Sequence, residues 1–523
     1  MKNDNKLLRF ACLVLVLVLA AGAAPAFAAD AWDGDAVAKA QADMASGATT
    51  SRKLVEQFLA RIDAIDKHGP AINSVIEVNP EALHIAEVLD QERAHGKVRG
   101  PLHGIPVLIK DNIDTADQML TTAGSLALAT GRPSQDAFLV TRLRAAGAVI
   151  LGKTNLSEWA NFRSTRSSSG WSGRGGLTRN PYALDRNPCG SSSGSGAAIA
   201  ADLAVIAVGT ETDGSIVCPS AINGLVGIKP TVGLVSRSGV IPISASQDTA
   251  GPMARSVADA AALLTALVGA DPKDSATTVK GRPADLDYSQ FLKPDGLRGV
   301  RIGVARNLAG FDDRVDKLLD AAIEVMKAQG AVIVDPVKLP IGKQLDEAEL
   351  KVLHYEFKDG LNRYLATRTG VPQTLADLIA FDEKESAREM PHFGQEIFVT
   401  AQGKGPLTSK EYRDAAALAL RATRVLGIDA TLKTHKIEAI IAPTAGPAWM
   451  TDLVNGDKYT GGAASQPPAV AGYPHITVPA GFVAGLPIGV SFIGTAWTEP
   501  QLIRFAYAYE QASKLRRPPK LPN

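Results

Sequence analysis

Two turns of small residues carry the serines best suited to nucleophilic chemistry. One is Gly190-Ser191-Ser192-Ser193-Gly194 and the other is Asp213-Gly214-Ser215-Ile216. In such turns, successive backbone N–H groups can converge on a developing oxyanion while a serine hydroxyl attacks the carbonyl carbon. The hydroxyl then needs a base within reach. Residues 190–194 also fit G-x-S-x-G centred on Ser192, the pattern of an α/β-hydrolase-type esterase. That pattern needs a strand running straight into the turn. Here residues 182–189 read YALDRNPC, polar and broken by proline. His354, His392, His435 and His475 follow the motif, and none has an acidic partner that the sequence identifies. The S-x-x-K arrangement of β-lactamases is absent.

Lysine is the other base available. It must be neutral to accept a proton, and burial among apolar groups lowers its pKa far enough. Lys110 ends the apolar run Ile105-Pro106-Val107-Leu108-Ile109, which suits a desolvated strand end. A solvated lysine at a strand end is the alternative on position alone.

Further motifs mark a resemblance. Residues 224–231 (GLVGIKPT), 248–253 (DTAGPM), Pro443-Thr444 and 485–489 (GLPIG) resemble landmarks of the amidase signature family, over about residues 50 to 511. The resemblance implies an α/β fold with a large mixed twisted sheet, helices on both sides and a helical insertion. It implies a Ser/cis-Ser/Lys triad. Ser215 would be the nucleophile, Ser191 the bridging serine after a cis peptide bond, and Lys110 the base. Backbone N–H groups of Thr212, Asp213, Gly214 and Ser215 would form the oxyanion hole. No cofactor or metal is implied. Three positions depart from the family pattern. Asp213 replaces the first glycine of Gly-Gly-Ser, Glu211 stands at a usual Asp, and Val217 at a frequent Arg. Asp213 would either tune substrate choice or cap its own turn. With residues 170–176 (GWSGRGG) and 186–189 (RNPC), the chain looks like the bacterial peptide amidase branch. The expected reaction converts the C-terminal carboxamide of a peptide to carboxylate and ammonia through an acyl-enzyme. Small or fatty carboxamides are the alternative substrates, and an esterase of α/β-hydrolase type is the alternative class.

The elements that must position these groups are readable from periodicity. Thr49–Ser51 caps a helix whose Leu54, Phe58, Ile62 and Ile65 recur at helical spacing. Residues 74–78, 105–109, 149–151, 300–305, 331–334, 437–442 and 475–478 read as strands, alternating with helices at 80–96, 136–146 and 312–329. That alternation argues for an α/β layered fold. Residues 164–187 read as a long ordered loop, and 344–435 as mostly helical, with Thr408 and Glu411 as a capping-box pair. Ser192 and Ser193 are read as satisfying their turn. Arg163, Arg166 and Arg174 are read as surface arginines, with substrate contact the alternative. Asn187 and Asp248 are read as structural, and Tyr473 with Pro467-Pro468 as lining the substrate mouth.

Composition narrows the class. Of 523 residues, 46% are apolar and 21% charged, with net charge +1. No basic block suggests nucleic acid or a membrane surface as partner. An amide substrate and a monomer are expected. Residues 1–28 read as a signal peptide, with cationic Lys2, Lys6 and Arg9, an apolar Phe10–Ala21 and Ala26-Phe27-Ala28 as the cleavage site. Residues 29–523 would then form a single amidase domain, periplasmic or secreted and without a stable membrane anchor. Cys189 and Cys218 lie near the two serine turns. They are read as inert buried thiols, with one disulfide as the alternative.

Overall fold

The apolar runs become the inner strands of a single large sheet. The computed structural model describes residues 32–462 and 464–521, so the signal-peptide reading lies outside the described residues. The first strands are β1 (Val75–Val78), β2 (Pro106–Lys110) and β3 (Val149–Thr154). A small hairpin, β4 (Trp171–Ser172) and β5 (Gly176–Leu177), stands apart from them. Then come β6 (Ile206–Glu211), β7 (Val226–Lys229), β8 (Thr249–Ala254), β9 (Arg301–Ala305) and β10 (Val332–Val337). The last are β11 (Ala439–Pro443), β12 (His475–Val483) and β13 (Leu486–Ile493). The sheet has 11 strands in the order β1-β3-β2-β6-β8-β7-β12-β13-β11-β9-β10. β3, β2 and β6 run parallel, as do β11, β9 and β10. Every residue of β2, β3, β6 and β11 is buried. This is why these strands read as continuous apolar runs rather than as alternation. The mixed α/β sheet is the architecture the resemblance implies. Trp32–Asn523 clusters as one compact unit.

Parallel pairing brings the site together. Ile109 of β2 lies opposite Val208 of β6, so both strands carry their carboxyl ends to one edge. In open α/β sheets that edge is where ligands bind. The helix Ser193–Ala200, entirely buried, packs beneath it. Its small residues allow close approach. A Cβ on Gly194 would stand 2.2 Å from the Ser74 carbonyl oxygen and 2.5 Å from that of Asn155.

Thr50 caps the helix Ser51–Arg61 by accepting the Lys53 N–H. The Thr408/Glu411 capping box does not form. Ser409 is the N-cap of Lys410–Leu420 without a side-chain bond. The Glu411 carboxylate instead accepts the Tyr355 hydroxyl at 2.7 Å, a tertiary partner outcompeting the local one. Residues 343–435 are largely helical as expected, running from the helix Lys343–Leu365 to Asp429–His435. Phe357, Leu361 and Phe398 from this layer pack with Trp159, Phe162, Ile241 and Ile243. The layer thereby covers the loops at the site edge.

Candidate active site

Lys110 is the last residue of β2 and is fully buried. Its Nζ lies 2.8 Å from Ser191 Oγ, 2.8 Å from Thr210 Oγ1 and 3.3 Å from the Thr210 carbonyl. Burial brings its pKa down to about 7, against the opposing pull of Asp248 and Glu211. A good fraction of Lys110 is therefore neutral near pH 7. Asn112 donates from Nδ2 to Thr210 Oγ1 at 3.0 Å, so Thr210 is held from both sides.

The peptide bond between Gly190 and Ser191 is cis. Ser191 is fully buried, whereas Ser215 keeps 8% exposure. The Ser192 N–H donates to the Ser215 carbonyl at 3.2 Å, which sets the two turns side by side. Among the described residues no hydrogen bond joins the hydroxyls of Ser191 and Ser215. Catalytic hydrogen bonds of this kind often close only around substrate.

Gly214 has φ +77, which lets the chain turn sharply before Ser215. The Glu211 carboxylate accepts the N–H groups of Ile216 and Val217 at 2.7 and 3.0 Å and also draws on the Gly214 amide. The N–H groups of Thr212, Asp213 and Ser215 have no acceptor among the described residues. Asp248 clamps the turn from outside. It accepts the Thr212 hydroxyl at 2.6 Å and the amides of Ile243 and Ser244, both at 2.8 Å. Burial raises its pKa to about 6. Asp213 does not cap its own turn. Burial pushes its carboxyl well above the usual range, Glu349 adds to this, and a bond from Ser465 opposes it.

Ser192 is a strut. Its hydroxyl donates to the Thr210 carbonyl at 3.1 Å and accepts the Thr210 N–H at 3.2 Å. Ser193 Oγ lies 3.3 Å from Ser157 Oγ. No histidine hydrogen-bonds to any of these serines among the described residues. His475 is bound instead to Ser491 at 2.6 Å, inside the sheet. This geometry gives Ser192 no base and removes the esterase reading.

Several other expectations change. Cys189 and Cys218 form a disulfide, so the reading as two thiols is incorrect. Their Cα atoms are 6.1 Å apart, a separation suited to bridging. Arg163 is not at the surface. It is fully buried, paired with Glu158 at 2.7 Å and stacked on Phe393. Arg174 is largely buried between Glu77 and Asp111. Arg166 is the exposed one and donates to the Val454 carbonyl at 3.2 Å. Tyr473 is buried and donates to Asp429 at 2.8 Å. Pro467 and Pro468 are likewise buried. Asn187 is structural, bonding Ser169, Asp457 and the Cys189 N–H. No sequence signal marks Thr210 or Asn112, whereas Glu211 stands out only as an acid where the family usually has Asp. A lone threonine late in an apolar strand looks like ordinary strand composition. Among the described residues no group of His, Cys, Asp and Glu could hold a metal ion.

Known proteins resemble this chain over most of its length. The family model described as Amidase matches residues 53–503. A probable amidase of Arabidopsis thaliana is 43% identical over 481 residues, spanning 90% of this chain and 88% of that protein. The crystal structure of an amidase family protein of Bacillus anthracis is 37% identical with a TM-score of 0.84, spanning 93% of this chain and 92% of that one. The crystal structure of the native peptide amidase of Stenotrophomonas maltophilia is 53% identical with a TM-score of 0.89, spanning 93% of this chain and 98% of that one.

Proposed function

The chain belongs to the amidase family and is an amide hydrolase; from that premise we propose that it removes the C-terminal carboxamide of peptides, using Lys110, Ser191 and Ser215. The observation that carries the roles is the buried Lys110 Nζ, 2.8 Å from Ser191 Oγ and beside the Ser215 turn. Neutral Lys110 takes the proton of Ser191, which takes that of Ser215. Ser215 Oγ attacks the carbonyl carbon. The oxyanion is held by the free amides of Thr212, Asp213 and Ser215, with Gly214 completing the turn. One such donor is worth roughly 3 kcal/mol of transition-state stabilisation. Ser191 returns a proton to the leaving nitrogen, the C–N bond breaks and ammonia departs. Water then attacks the acyl-enzyme by the same relay.

The likeness to a peptide amidase over nearly the whole chain supports the substrate class. We also propose export to the periplasm or beyond, with residues 1–28 removed and the mature enzyme monomeric. The cationic-then-apolar leader and a structural disulfide suit an oxidising compartment. Ammonia release from amidated dipeptides, fatty primary amides and glutamine, against Ser215→Ala as blank, tests the substrate class. Amidated dipeptides should be hydrolysed at least tenfold faster than the others. Preference for a fatty amide or glutamine would overturn it.

A further inference from the structure

A narrow chamber lies against the relay serine. It leaves about 10 Å³ for an occupant, and Ser191, Asn112, Glu211, Asp248, Val240, Ile241 and Ile243 are among the residues that line it. That is room for one water-sized group and no more. Asn112 is 3% exposed, and its Nδ2 is committed to Thr210 Oγ1. Its Oδ1 is buried without a partner among the described residues. A buried acceptor left unpaired is costly, so a site that keeps one is built for a donor that arrives from outside.

The chemistry of the reaction says which donor. The group that gives the leaving nitrogen its proton must touch that nitrogen, and in the mechanism above this group is Ser191. The open space against Ser191 is therefore where the leaving nitrogen goes. A primary carboxamide nitrogen carries two N–H donors and is the size of a water. We propose that this chamber is the leaving-nitrogen pocket and that Asn112 Oδ1 accepts an N–H of the carboxamide there, making Asn112 a specificity-determining residue. The inference rests on the roles given to Ser191 and Ser215. When Ser191 Oγ passes its proton to nitrogen, the C–N bond breaks and ammonia is left in the chamber, held by the same oxygen.

Two consequences follow from the chamber's size and from the Asn112 acceptor. An N-substituted amide has no room for its substituent against Val240, Ile241 and Ile243, so internal peptide bonds are spared. An ester leaving group brings no N–H to Asn112, so it gains nothing from the acceptor.

The test compares three substrates with one acyl group: the primary amide that the wild type hydrolyses best, its N-methylamide and its methyl ester. Asn112→Ala should lower kcat/KM for the primary amide at least tenfold relative to the ester. Asn112 also supports Lys110 through Thr210, and that structural role would slow amide and ester equally. An unchanged amide-to-ester ratio would overturn the inference. Val240→Ala is the second variant and decides if Asn112→Ala does not fold. It should raise the N-methylamide rate relative to the primary amide at least tenfold, and an unchanged ratio would count against the pocket. Because the ratios are taken on whichever carboxamide is best, a failure of the peptide-substrate reading leaves this test intact. Loss of the relay itself would show separately, as full activity in Ser191→Ala.

Discussion

Lys110 works as a base because the fold strips it of water while leaving it two hydroxyl partners. With its pKa held near 7 by burial, kcat/KM should rise with pH through about 7 and level off above. The sign follows from the neutral amine being the active form, which grows as pH passes the pKa. A pH–rate profile falling through that range would contradict it. Lys110→Ala should cost about 10²–10⁴-fold near neutral pH, measured as loss of the pre-steady-state burst. Ser192→Ala removes only two hydrogen bonds to Thr210 and should retain activity within about tenfold. Ser215→Ala should lose about 10⁴-fold or more. A Ser192 variant as dead as the Ser215 variant would revive the G-x-S-x-G reading. Of these residues, Lys110, Ser191 and Ser215 were legible because motifs flank them. Thr210 and Asn112 were not, since their importance lies in which atoms a parallel strand pair brings within 3 Å.

At the scale of elements, the two serine turns are held by different devices. The helix Ser193–Ala200 docks through glycine. Gly194→Ala would drive a Cβ into two backbone oxygens and should cost about 1–3 kcal/mol or more of stability, read by denaturant unfolding. The disulfide ties the residue before Gly190 to the helix Val217–Ile222 and closes a span of 29 residues. Replacing both cysteines by serine should lower unfolding stability by about 3–4 kcal/mol. No change in the unfolding midpoint would show that the link constrains nothing. The positions of most strands and helices could be read from apolar runs and from period 3.6. The capping box at Thr408 and the surface place given to Arg163 could not. Both failed because a distant partner intervened: Tyr355 for Glu411, and Glu158, Phe393 and the Glu389 carbonyl for Arg163. Spacing along the chain carries no record of such partners.

Across the whole molecule, the helical layer is anchored to the site edge by buried acids. Glu158, Asp382 and Glu389 are all buried, with Arg163 as their shared cation. Among the described residues neither oxygen of Asp382 has a hydrogen-bond partner, and burial raises its pKa to about 7. Because that value is higher than in the unfolded chain, its contribution is intact in acid and is lost as pH rises towards 7. Asp382→Asn should therefore stabilise the protein by up to about 4 kcal/mol at pH 8 relative to its effect at pH 4. Equal effects at both pH values would contradict a neutral Asp382. The 11-stranded sheet holds the other side of the site, bringing β2 and β6 to one edge. Its α/β class was legible from the alternation of elements and its mixed sheet only through the family resemblance, whereas its strand order was not legible, because neighbours such as β7 and β12 are far apart in sequence. The central claim is that Ser215 becomes acylated through Ser191 and Lys110. Rapid quenching of an amidated peptide with the wild type, followed by peptide mass mapping, tests it most directly. An acyl mass is expected on the peptide containing Ser215 and is absent in Lys110→Ala. An adduct on Ser192, or ammonia release at full rate with Ser215 replaced, would contradict it.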